Sequence, residues 1–206
     1  EFRRVLFRSF WTIAKLDMFV DHQLVTKRPD MGIIDIHSEN PWSDKKGLYW
    51  ANPFNQKVWE YNLALCKELV MLGFDEIQFD YIRFPSDGDL SAIQYPLNTG
   101  QLNKTQCIGK FLESAHAKLK PMGATISVDL FGMVAWKTVD FGVGQLIEAI
   151  APYVDVICPM FYPSHFPSGF LGKKKPGEYP QEIMELSMQR MKSRTGKIIR
   201  PWVQGF

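Results

Sequence analysis

The chain has 206 residues, 46% of them hydrophobic, enough for one globular domain with a sizeable core. No run reaches the ~18 apolar residues of a membrane span. The formal net charge of +2 comes entirely from residues 1–9, where Arg3, Arg4 and Arg8 stand against Glu1; the other 21 basic and 21 acidic residues give no electrostatic reason to expect a nucleic acid.

Residues 1–9 read EFRRVLFRS, which resembles a common short-read sequencing adapter translated in frame. The other reading is a basic arm for nucleic acid or membrane. The segment is taken as an artefact and set aside from the fold, leaving 10–206 as a fragment of a single domain. Cys66, Cys107 and Cys158 form no CxxC pair and sit in apolar contexts, which suits buried thiols.

Residues 11–19 read as a strand. Residues 55–72 read as a helix, with Val58, Tyr61, Leu65, Leu69 and Leu72 on one stripe and Gly73 as its stop. A strand follows over 76–84. Next come a helix over 105–120, with Ile108, Phe111, Leu112, Ala115 and Leu119 inward, and a strand over 125–131. The pattern continues with a helix over 140–151 capped by Asp140, a strand over 154–162, a helix over 180–194 and a last strand over 198–204. Such βα alternation implies a parallel sheet covered by helices, either a doubly wound sheet or a (β/α)8 barrel. No glycine-rich phosphate loop follows a strand, which weakens the nucleotide-binding version. Polar residues two apart near strand ends (Gln78 and Asp80, Ser127 and Asp129, Arg200 and Gln204) favour the inner layer of a catalytic barrel. The expected fold is therefore an α/β partial TIM barrel of about five parallel strands with covering helices.

The αβ connections are short. Three βα connections, 20–53, 85–104 and 163–179, are long, and all leave the strand ends where barrel active sites are built. Asp80 and Asp129 end neighbouring strands, so their carboxyls are expected about 5–7 Å apart and in catalytic roles. A scaffold carboxylate held by Arg83 or Gln78, or a capping role for Asp129, is the plainer alternative. Aromatic residues gather in the βα loops, namely Trp42, Tyr49, Trp50, Trp136, Tyr162, Phe166, Phe170 and Tyr179, and Trp202 lies in the last strand. As a set they suit sugar faces, although loop packing explains any one of them. The substrate-binding candidates are Gln78, Arg83, Trp136, Tyr162, His165, Phe166, Trp202 and Gln204. His37 and Glu39 form a weak pair, and neither a zinc motif nor a serine nucleophile elbow occurs, so no metal or cofactor is expected.

The segments GFDEIQFDYIRFPSDG, ISVDLFGMVAW, DVICPMFYPSHF and IIRPWVQGF, with KGLYWANPFNQKVWEYNLALCKELVMLGF before them, resemble successive strands of a bacterial family described as glycosyl hydrolase domains. These are TIM-barrel proteins long known only as a domain of unknown function. The resemblance covers residues 11–206, and FDYIRFP is its most specific block. It implies that the visible strands are the third to seventh of eight. Asp80 then ends the fourth, where many related glycosidases hold the nucleophile, and Asp129 ends the fifth, where an acid/base could sit. It also implies a carbohydrate substrate and an extracellular or envelope location. Where the family leads one to expect a lysine before Asp21, this chain has Val20, so any role of that lysine does not carry over. The activity expected is hydrolysis of O-glycosidic bonds in a polysaccharide. The alternatives are a non-catalytic carbohydrate-binding barrel and, less in keeping with the missing metal ligands, a polysaccharide deacetylase.

Overall fold

The computed structural model describes residues 10–98 and 100–205, so the N-terminal segment 1–9 lies outside the described residues. A parallel sheet runs in the order β1 (Ile13–Asp17), β3 (Glu76–Asp80), β5 (Thr125–Phe131), β6 (Val156–Phe161) and β7 (Ile198–Ile199), with β8 (Trp202–Val203) continuing β7 alongside β6. The expected strand 198–204 is split because Pro201 has no N–H to give the ladder; Arg200 still donates to the Ile157 carbonyl at 2.9 Å. Among the described residues β1 pairs only with β3, and β7 and β8 only with β6. The result is an open arc of a (β/α) barrel.

Period-two alternation divides this arc into two chemistries. Ile77, Phe79, Ile126, Val128, Leu130, Ile157 and Phe161 face outward and are fully buried beneath the helices, each stabilising the fold by about 1.5–3 kcal/mol. The inner face is polar. Covering the outer face, α2 (Gln56–Met71) starts where the Asn55 side chain accepts from the Lys57 N–H and stops before Gly73, whose φ is 96°. Its buried stripe is Val58, Asn62, Leu63 and Cys66, rotated from the expected one. Buried Asn62 turns inward to donate to the Met18 carbonyl at 2.8 Å, and Tyr61 and Leu72 stay outside. Helix α3 (Lys104–Leu119) begins with a reciprocal capping box between Asn103 and Gln106 and buries the predicted residues together with Cys107. Pro180–Arg194 forms α5, as expected.

The helix expected over 140–151 shrinks to α4, Ile147–Ile150. Gly142 and Gly144 have φ of 95° and 81°, outside helical space, and Asp140 caps three loop N–H groups, of Gly142, Val143 and Gly144. The two long connections before α2 and α3 are not independent walls. The first holds α1 (His22–Lys27) and β2 (Ile34–Asp35), and β2 pairs antiparallel with β4 (Ile93–Gln94) of the second. Trp42, 2% exposed, donates from Nε1 to the Asp89 carbonyl and locks the two loops together. Trp50, also buried, reaches Asp44. These two tryptophans are loop core rather than sugar platforms. Among the described residues no helix is long and apolar enough to cross a membrane.

Candidate active site

The register carries the inner face across the arc: Lys15 lies beside Gln78, Asp17 beside Asp80, Gln78 beside Ser127, Asp129 beside Cys158, and Met160 beside Trp202. Five strands thus bring inward residues to one place, the C-terminal mouth.

Asp80 is the last residue of β3. The strand ends there because Tyr81 turns to φ 46°, a left-handed conformation uncommon for a non-glycine residue, and not at residue 84 as the apolar run suggests. That turn brings the Tyr81 N–H back onto Asp80 Oδ1 at 2.7 Å. The other oxygen, Oδ2, meets the Lys15 ammonium at 2.6 Å. Neither Arg83 nor Gln78 is hydrogen-bonded to Asp80, so the scaffold arrangement expected as an alternative is absent among the described contacts.

Asp129 is 1% exposed. Its Oδ1 accepts from Gln78 Nε2 at 2.7 Å and from Trp202 Nε1 at 2.8 Å. Its Oδ2 lies 3.7 Å from Lys15 Nζ. Since one ammonium reaches both Oδ2 atoms, these are no more than roughly 6.3 Å apart, a limit just below the ~6.5–9.5 Å of inverting glycosidases and above the ~5–5.5 Å of retaining ones. Removal from water pushes the Asp129 carboxyl above its ordinary value of 3.8; the Trp202 hydrogen bond pulls the other way, and the Asp80 charge adds to the rise. Asp17, next to Asp80, is raised by burial and by that same charge.

Below this tier, Glu76, the first residue of β3, is 1% exposed. It accepts from Nη1 and Nη2 of Arg200 and, at 2.9 Å, from the indole N–H of Trp11. Burial would raise its carboxyl, but these donors outweigh burial and hold it below 4.5.

The other predicted residues divide. Gln78 and Trp202 join Asp129 directly. Tyr162 is near enough for Asp129 and Asp80 to raise its phenol, after burial, and its ring meets exposed His165 edge-on at 5.3 Å. Gln204 accepts from Ser164 Oγ at 2.9 Å, tying the end of the last strand to the loop after β6. Arg83 sits among the rings of Trp50, Tyr81 and Phe131, at 5.0, 5.1 and 4.6 Å. Trp136 and Phe166 are not brought to the aspartates. Trp136 donates to Ser187 of α5 and packs on Phe170, and Phe166, 5% exposed, packs against that same Phe170 with its ring tilted. Both fill the space under the loop. Lys15, Asp17 and Glu76 were missed by the sequence reading; the alternation of Ile13, Lys15 and Asp17 with Ala14 and Leu16 was the signal that could have found the first two. Among the described residues no three His, Cys, Asp or Glu side chains converge as metal ligands.

A family model described as "Putative glycosyl hydrolase domain" matches residues 3–206. Among solved structures, a hypothetical protein from Ruminiclostridium thermocellum is 37% identical with a TM-score of 0.51, the match covering 57% of each chain. An α-galactosidase from Thermus thermophilus is 16% identical, with a TM-score of 0.53 over 92% of this chain and 36% of its own. The glycoside hydrolase domain of PelA from Pseudomonas aeruginosa is 9% identical, with a TM-score of 0.53 over 91% of this chain and 64% of its own. At those identities the last two show the fold alone. The chain spans less than two thirds of each of these proteins. No curated protein sequence matches it.

Proposed function

Because the chain belongs to this family of glycosyl hydrolase domains, we propose that the intact protein hydrolyses O-glycosidic bonds of a polysaccharide with Asp80 and Asp129. The observation that carries this reading is the opposed surroundings of two adjacent carboxyls. Asp80 is paired with the Lys15 ammonium and an amide N–H; Asp129 is buried and desolvated, which favours its protonated form. Asp129 then gives its proton to the leaving oxygen as the exocyclic C–O bond breaks, and the bonding electrons stay on that oxygen. The Asp80 carboxylate bonds to the anomeric carbon. Water, losing a proton to Asp129, then displaces Asp80. The upper limit on the Oδ2–Oδ2 separation, just below the inverting range, is compatible with this retaining course. The partly exposed rings of Trp202 and Tyr162 suit a sugar face beside the pair.

The test is release of reducing sugar from a panel of polysaccharides by the intact protein. Asp80→Asn and Asp129→Asn should each lower turnover by roughly 100-fold or more. Polysaccharide binding without hydrolysis by the unmodified protein would instead support a non-catalytic binding barrel and overturn the proposal.

A further inference from the structure

We propose that Lys15 is a positioning residue for this reaction, its ammonium clamping Asp80 and leaning on Asp129 so that the pair keeps one negative charge and one proton. The inference rests on the glycosidase reading of the two aspartates.

The geometry is asymmetric. Lys15 Nζ is at 2.6 Å from Asp80 and 3.7 Å from Asp129. At that distance Lys15 is the direct ion-pair partner of Asp80. The more distant Asp129 has Oδ1 taken by two N–H donors, which leaves Oδ2 as the atom to carry a proton. The same ammonium lies 5.3 Å from the centre of the Trp202 ring, whose indole N–H holds Asp129. Lys15, Asp80, Asp129 and Trp202 therefore form one unit drawn from four strands.

The surrounding charges leave this task to Lys15. Its own strand adds Asp17, a further acid; β3 adds Asp80 and neutral Gln78; β5 adds Asp129; the segment after β6 adds Tyr162; β8 adds Trp202. Arg83 and Arg200 are engaged elsewhere, Arg83 among aromatic rings and Arg200 on Glu76. Among the described residues Lys15 is the one cation within ion-pair distance of either aspartate. Burial would lower its ammonium, yet Asp80, Asp129 and Asp17 together raise it, so it stays charged wherever the pair is at work. The plain alternative is a strand-to-strand salt bridge that supports only the fold. Lys15 is 44% exposed, and ion pairs that open to water add little stability.

The test compares the intact protein with Lys15→Met and Lys15→Arg, following the pH dependence of kcat/KM, the carboxyl titrations of Asp80 and Asp129 by carbon NMR, and the melting temperature. In Lys15→Met the Asp80 titration should move up by about one pH unit or more, the acid limb of kcat/KM should move with it, and melting should stay close to that of the unmodified protein. Lys15→Arg keeps the charge and should restore most of the profile. An unmoved Asp80 titration, or a Lys15→Met protein that does not fold, overturns the proposal. The two failures are distinct. Activity that survives Asp80→Asn overturns the glycosidase reading, whereas activity that needs Asp80 but keeps its pH profile in Lys15→Met overturns the role of Lys15.

Discussion

Asp129 and Glu76 are both 1% exposed carboxyls on one inner face, and their environments push them in opposite directions. Asp129 is raised by desolvation, so the folded state holds its proton more tightly than the unfolded chain does. Its ionisation therefore weakens folding as pH rises through the folded value. Glu76 is lowered because Arg200 and Trp11 outweigh burial. Its contribution is complete above the ordinary 4.5 and is lost as pH falls through the lower folded value. Arg200→Met leaves Glu76 buried without its cation and should destabilise the protein by on the order of 3 kcal/mol at neutral pH. That loss should shrink as pH falls below 4, measurable as urea midpoints across a pH series. A loss independent of pH would assign the Arg200 effect to packing alone. The aspartates were legible in the sequence because alternation fixes which way a strand residue points. The same alternation put Lys15 on one face with Asp17 but did not say which face, because a lysine in IAKLD is equally at home on a solvent-facing strand. Trp136 and Phe166 were misplaced because chain position gives the start of a loop but not where its rings turn.

Elements were legible where local chemistry and periodicity agreed. α3 carries its capping box in the sequence, and β5 appears with the expected bounds. The reading failed where two glycines with positive φ broke an apparently helical run at 140–146, and where Tyr81 ended β3 early for reasons that belong to the mouth. Gly132 shows how tightly that mouth is built. It follows β5 directly, and an added Cβ would lie 2.5 Å from the Met160 carbonyl oxygen of β6, a backbone atom that cannot swing aside. Gly132→Ala should therefore destabilise the fold by about 1–3 kcal/mol through strand displacement, read from the denaturant midpoint. It should also reduce turnover, since Asp129 lies three residues earlier on the same strand. Stability equal to that of the unmodified protein would mean that β5 and β6 can separate freely.

At the scale of the molecule, the arc has two free edges among the described residues. Ile13, with flanking Phe10 and Trp11, is exposed along one, and Ile198, Trp202 and Val203 along the other. The proposed reacting pair lies near the middle of the arc, on β3 and β5. Its supports come from both edges: Lys15 from β1 and Trp202 from β8. The fold class was readable from βα order alone, but this dependence of the pair on the outermost strands is a long-range property that no local pattern encodes. The measurement that tests the central claim most directly is covalent trapping. The intact protein would be incubated with a 2-fluoro glycosyl fluoride of whichever sugar the polysaccharide panel identifies, then digested and analysed by mass spectrometry. The account predicts one glycosyl group, attached to Asp80. Attachment at another carboxylate, or turnover with inversion and no trapped intermediate, would contradict it.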